Sequence, residues 1–206
     1  GIEAPIFAFT HCRDVVVAVS KAGGIGVLGA VGFSPAKLKE ELDWIDEHIG
    51  DHIYGVDTAI PQKYEGMDLT SPEELVEMLQ AAIPQQHREF SEKLLADAGV
   101  PEWPEQDDEV SLSFSAVQAQ ALVDEALTRP KCRMIVNALG TPPAEIIKQV
   151  QDSGRLIGAL AGRLKHGIAH KNAGLDFVIC QGSEGGGHAG EVTSVILWPQ
   201  MVDAIA

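Results

Sequence analysis

The sequence predicts an α/β protein built on parallel strands, and three observations carry that expectation. Helical and strand patterns alternate along the chain. Three joints share one design, Ala22-Gly23-Gly24-Ile25, Ser153-Gly154-Arg155-Leu156 and Ala173-Gly174-Leu175-Asp176, with glycine where a helix C-terminus needs a left-handed residue, directly before an apolar strand. Near the end, the apolar run Phe177-Val-Ile-Cys180 empties into a glycine-rich turn, Gln181-Gly-Ser-Glu-Gly-Gly-Gly-His188-Ala-Gly190. Repeated helix-glycine-strand joints imply parallel strands with right-handed crossovers. Periodicity is compatible with a closed (β/α) barrel and with an open doubly wound sheet alike.

The elements follow in order. The chain opens on its first strand, and residues 13–22 then read as a short helix stopped by Gly23-Gly24, with Ile25-Gly-Val-Leu28 as the next strand. Ser34-Pro35 opens a second helix, because serine can cap the free N–H groups and proline at a first-turn position loses nothing. That helix runs toward His48 and stops at Gly50; Ile53-Tyr-Gly-Val-Asp57 is the third strand. Later strands are expected at Arg133–Ala138, Leu156–Leu160 and Phe177–Gln181, about six in all. Thr141-Pro142-Pro143 starts a helix that Gly154 ends, and another runs from Arg163 to Ala173.

Residues 61–130 interrupt this rhythm. Ser71-Pro-Glu-Glu74 reads as a capping box opening a helix to Ile83, a second helix spans about Gln85 to Ala98, and Ser115 with Gln118 caps a third through Leu127. The expectation is a single domain over residues 1–206 with a helical insertion after the third strand. A lid over the site, a solvated decoration and an oligomer contact are all open readings of the insertion.

Composition sets limits on partners. The chain has 206 residues, 45% hydrophobic and 22% charged, enough for one sizeable core. No run approaches the ~18 apolar residues that span a bilayer, and no secretion signal opens the chain, so the expected location is cytoplasmic. A net charge of -15 repels a polyphosphate backbone, which argues against nucleic acid as a partner. Cys12, Cys132 and Cys180 are odd in number and widely spaced; core thiols are expected rather than a disulfide framework or a metal cluster.

Function is expected at the glycine turn. A buried strand ending there places backbone amides, Gln181 and His188 at the carboxyl edge of a sheet, where α/β proteins build their sites. Gly185, Gly186 and Gly187 lack Cβ atoms, so a flat ligand can lie against the main chain. Gln181 both donates and accepts, which suits a heterocycle edge. An imidazole titrates near pH ~6.5, so His188 can accept a proton at neutral pH. Three other motifs carry less. Gly24-Ile-Gly26-Val-Leu-Gly29 matches a dinucleotide fingerprint in spelling, but its context is helix, glycines, strand, the reverse of what that fingerprint needs. His166 and His170 stand at metal-ligand spacing without the glutamate of a zincin, and a solvated helix face is expected; no metal is expected. His11-Cys12 reads as a β-α turn near the site.

Pro5-Ile6, Ala18-Val-Ser-Lys-Ala-Gly-Gly-Ile-Gly-Val-Leu-Gly-Ala30, Tyr54-Gly-Val-Asp57, Ala173-Gly-Leu-Asp176 and Cys180-Gln-Gly-Ser-Glu-Gly-Gly-Gly-His-Ala-Gly190 together resemble the nitronate monooxygenase family, formerly 2-nitropropane dioxygenases. The resemblance implies a (β/α)8 TIM barrel holding FMN non-covalently at the carboxyl ends of its strands. It implies Gln181, Gly186 and Gly187 as flavin contacts and His188 as the catalytic base. It places Asp57 at a flavin-contacting position that is usually asparagine. The implied reaction uses dioxygen to oxidise an alkyl nitronate, or a nitroalkane deprotonated by His188, to a carbonyl compound and oxidised nitrogen. A homo-oligomer is compatible with it. The pattern is shared with flavin-dependent enoyl-carrier-protein reductases that use NAD(P)H, and a non-catalytic remnant acting as a binding module is a rival of another class. The strands expected number about six against eight for a closed barrel, and the family's Gly-Gly-Ile turn that cradles the FMN phosphate has no counterpart here. The chain is therefore expected to be a fragment of a longer protein, with an incomplete barrel.

Overall fold

A computed structural model describes residues 2–62, 72–101, 116–187 and 189–205, with the backbone alone for 72–76. Six strands, β1 (Phe7–Thr10), β2 (Ile25–Gly29), β3 (Tyr54–Thr58), β4 (Cys132–Asn137), β5 (Leu156–Ala161) and β6 (Phe177–Cys180), form one sheet in the order of the chain, every neighbouring pair parallel. A doubly wound sheet reverses its strand order at a switch point. This sheet never does, so the sheet winds in one direction, as an incomplete (β/α)8 barrel does.

The helices are α1 (Arg13–Lys21), α2 (Pro35–His48), α3 (Pro72–Ala82), α4 (Gln85–Asp97), α5 (Ala116–Leu127), α6 (Ala144–Asp152), α7 (Leu164–Ala173) and α8 (Ser194–Ile205). Their starts and stops follow local chemistry. Ser34 Oγ accepts from Lys37 N at 3.1 Å, so the expected cap on α2 is made. Gly23, Gly154 and Gly174 have φ of 94°, 74° and 83° at the three joints, where a Cβ would be strained. The two capping boxes expected in residues 61–130 involve Ser71 and Ser115, outside the described residues.

The core lies between the convex face of the sheet and the helices. Leu28, Leu42, Tyr54, Leu122, Ile135 and Ile157 are each fully buried there, and each such side chain contributes about 1.5–3 kcal/mol on burial. Helix α5 buries Ala119, Leu122, Val123 and Ala126 in this layer and packs on α2, β3 and β4. It thus makes the crossover from β3 to β4. Helix α4 buries nothing. Helix α1 comes closest at Gly26, where a Cβ would stand 2.3 Å from the Val16 carbonyl oxygen; the Gly26 N–H donates to Ser20 Oγ at 3.0 Å.

The concave face is apolar and open. Phe7 and Phe9 on β1 are each 56% exposed, and a hollow of about 730 Å³ runs over Phe9, Val27, Met134, Val136 and Phe177. The cysteines correct one expectation. Cys132 is a core thiol, pushed up to about 12 by burial, and Cys180 is partly buried, but Cys12 is exposed at the turn between β1 and α1. No helix among the described residues is long and apolar enough to cross a membrane.

Candidate functional site

Parallel winding puts the loops after β3, β4, β5 and β6 on one rim, and they enclose a cleft of about 820 Å³. Pro61 and Gln62 follow β3; Leu139, Gly140 and Thr141 follow β4; Gly162 and Arg163 follow β5; Gln181, Gly190 and Glu191 follow β6. The strand ends, not sequence proximity, bring them together.

Gln181 lies at the foot of the glycine turn and faces this cleft. Its Nε2 donates to the Gly186 carbonyl at 3.0 Å, and Gly185 permits the approach, since a Cβ there would meet Gln181 Cγ at 3.0 Å. Among the described residues nothing lies within 4 Å of where a Cβ would stand on Gly186 or Gly187, and Gly187 has a φ of 71°. The turn is tied down at its far side. Glu184 receives the Ser194 N–H at 3.1 Å on each carboxylate oxygen and pairs with the Ser194 hydroxyl, capping α8. That hydrogen bonding, led by the Ser194 hydroxyl, holds the Glu184 carboxyl below its usual range. Gly190 closes against Gly162, where a Cβ would stand 2.3 Å from the Gly162 carbonyl oxygen. His188, the expected base, lies outside the described residues.

Asp57 is next to last in β3 and is 6% exposed. Its register partners are Gly29 on β2 and Val136 on β4, and its side chain lines the apolar hollow on the concave face. Oδ1 is buried with no hydrogen-bond partner among the described residues. Burial alone pushes this carboxyl up to about 7. Asp57 and Gln181 therefore share a rim but line different cavities, with no lining residue in common.

Two residues that sequence reasoning missed shape the cleft. Asn137, at the end of β4, is fully buried: its Oδ1 accepts from Ile60 N at 2.7 Å and Leu139 N at 3.2 Å, and its Nδ2 donates to the carbonyls of Ile60 at 3.1 Å and Gly140 at 2.9 Å. It clamps the loops after β3 and β4. A polar residue closing an apolar strand was the available signal. His170 corrects the expected solvated face, being 1% exposed. Its Nδ1 shares a 2.8 Å hydrogen bond with Thr141 Oγ1, and its Nε2 one of 3.0 Å with the Leu160 carbonyl. It holds α7 to the loop after β4.

His166 and Arg163 also line the cleft. Partial burial first, then the charges of Lys165, His170 and Arg163, hold the His166 imidazole below its usual range. Arg163 Nη2 reaches Glu191 Oε2 at 2.5 Å, joining the loops after β5 and β6. His11 sits at the β1–α1 turn on the same rim, its Nδ1 3.1 Å from the Gly29 carbonyl.

The family model described as nitronate monooxygenase matches residues 2–206. A Mycobacterium tuberculosis protein named "Putative monooxygenase" is 42% identical over 209 residues, which are 100% of this chain and 55% of that protein. A Staphylococcus aureus protein named "Probable nitronate monooxygenase" is 27% identical over 223 residues, 100% of this chain and 56% of that one. The chain spans about half the length of the curated relatives it matches. Among solved structures, a nitroalkane oxidase from Streptomyces ansochromogenes superposes with a TM-score of 0.67 at 21% identity, over 99% of this chain and 55% of that one. FabK from Thermotoga maritima superposes with a TM-score of 0.65 at 20% identity, over 100% and 49%. At these identities the two structures establish the shared fold.

Proposed function

The chain belongs to the nitronate monooxygenase family, and on that premise we propose that it carries the flavin-side rim of an FMN-dependent oxidoreductase that uses dioxygen to oxidise alkyl nitronates to carbonyl compounds. The observation that carries this reading is the glycine turn after β6, with no described residue crowding Gly186 or Gly187 and with Gln181 beside a cleft of about 820 Å³.

The residues present fit a flavin. A ring that stacks on main chain needs positions where no Cβ intrudes, and Gly186 and Gly187 supply them. A heterocycle edge needs donors and acceptors, which Gln181 and the turn's backbone offer. Asp57, in the hollow of the concave face rather than in the cleft, contributes a buried carboxyl oxygen without a partner among the described residues, which a ring reaching across the rim from the glycine turn would satisfy. When bound, FMN supplies the electron transfer and the reaction with dioxygen.

The chain's own residues bind, orient and move one proton. Gln181 and the glycine turn position the ring. His188 takes the proton from the carbon next to the nitro group when the substrate is a neutral nitroalkane. A nitronate has already lost that proton, so His188 then only helps to hold it. Asn137 and His170 keep the loops around the cleft in place. Residues 61–130 we read as the β3–β4 crossover, completed by α5 and enlarged by α3 and α4.

The test is an absorbance spectrum of the intact purified protein followed by oxygen uptake with propionate 3-nitronate. A flavin band and nitronate-dependent uptake are expected. Anaerobic bleaching of the flavin by NAD(P)H without nitronate oxidation would instead make it an enoyl reductase, and absence of any chromophore would leave a binding module.

A further inference from the structure

Asp57 is the buried acid that the proposed reaction does not use. It is 6% exposed one residue before the end of β3, and its Oδ1 has no hydrogen-bond partner among the described residues. An ionised carboxylate in that position would lack both water and a donor, a costly arrangement. An asparagine there would always carry N–H donors; an aspartate donates only while it keeps its proton.

We propose that Asp57 meets the flavin as a neutral carboxylic acid, donating its O–H to the ring, so that cofactor binding is linked to one proton. The inference rests on the reading of this rim as a flavin site, with the ring reaching from the glycine turn over the hollow that Asp57 lines. The surroundings on every side support it. On β2 the neighbour is Gly29, without a side chain; on β4 it is Val136; across the hollow stand Phe9 and Val27. The charged groups of the same hollow are Arg133 and Asp176, at the opposite ends of β4 and β6. His11, over Gly29, is engaged with the Gly29 carbonyl and lies edge-on to Phe9. Helix α1 carries Arg13, Asp14 and Lys21, and α5 carries Asp124 and Glu125, but both helices pack on the convex face; Arg13 pairs with Glu41, Asp124 with Gln149 and Glu125 with Arg129. Burial is left as the one cause acting on this carboxyl, and it moves its titration to about pH 7.

The consequence is readable without turnover. If only the protonated form binds, affinity is constant below the group's pKa and falls about tenfold per pH unit above it. FMN is titrated into flavin-free intact protein from pH 6 to pH 9, with fluorescence quenching as the readout, for the native sequence, Asp57→Asn and Asp57→Leu. Taking the ratio to Asp57→Asn cancels the titrations of FMN itself. Native affinity relative to Asp57→Asn is expected to fall about 100-fold across that range, with Asp57→Asn matching the native protein near pH 6 and Asp57→Leu weak throughout. A flat ratio, or one that rises with pH, overturns the proton linkage while leaving the flavin site standing. Failure of all three proteins to bind FMN at any pH overturns the flavin reading, and this inference with it.

Discussion

The side-chain amide of Gln181 donates a 3.0 Å hydrogen bond to the carbonyl oxygen of Gly186, five residues further along the same loop. The bond ties the glycine turn into a small closed unit, instead of a slack connection between β6 and α8. Preorganisation of this kind lowers the ordering cost of binding a ligand there.

Gln181→Ala should therefore weaken FMN binding about tenfold, the worth of one neutral hydrogen bond. Gln181→Glu should be no better, because a carboxylate cannot donate to the Gly186 carbonyl. Flavin titration at pH 8 checks both; unchanged affinity in the alanine variant would remove Gln181 from the site.

Asp57 should make the flavin-free protein lose stability as pH rises. Burial lifts its folded-state pKa to about 7, above the 3.8 of an ordinary aspartate, so between those limits the folded state binds more protons than the unfolded one. The contribution is complete below pH ~4, declines as pH rises and is gone above pH ~7. Asp57→Asn abolishes this dependence, and the pH-dependent part of its advantage should reach on the order of 4 kcal/mol above pH 8. Urea unfolding at pH 5 and pH 8 measures it, and equal differences at both would count against a raised pKa.

Gly26→Ala should destabilise the protein by roughly 1–3 kcal/mol, because the new methyl would lie 2.3 Å from backbone of α1 rather than beside a flexible side chain. Alanine at Gly32, where nothing lies within 4 Å, meets no such neighbour, although its φ of 89° carries a backbone cost of its own. Thermal melts of Gly26→Ala should show a clear drop, and an unchanged melting temperature would mean that α1 can slide away from β2.

Asn137→Ala should cost about 2–4 kcal/mol, since it strands several buried backbone partners in the loops after β3 and β4. Hydrogen exchange should rise first at Ile60 and Leu139, whose N–H groups Asn137 receives. Asn137→Asp keeps the acceptor and loses the Nδ2 donor, so it should fall in between; protection unchanged in both variants would refute the clamp.

Most of the architecture was legible because its signals are local. Gly23, Gly154 and Gly174 sit where left-handed backbone ends a helix, Ser34 caps α2 through its own hydroxyl, and the apolar runs at Ile25, Tyr54 and Phe177 begin strands. Each depends on a few consecutive residues. The site was legible only where the same held, in the turn from Gln181 to Gly190.

Asn137, His170 and Glu184 were not legible as what they are, because their partners lie far along the chain or in other elements: Ile60 for Asn137, 77 residues away, Thr141 for His170 and Ser194 for Glu184. Nor could composition separate the Cys132 that packs in the core from the Cys12 that faces solvent. The sequence by itself determined which segments are helix or strand, and that the strands run parallel, since propensity, capping and turn chemistry act over a few residues. Tertiary structure alone decided the strand order, the burial that leaves Asp57 Oδ1 without a partner, and the separation of Asp57 and Gln181 into two cavities on one rim. Those depend on which distant surfaces meet, and desolvation and packing act through space rather than along the chain.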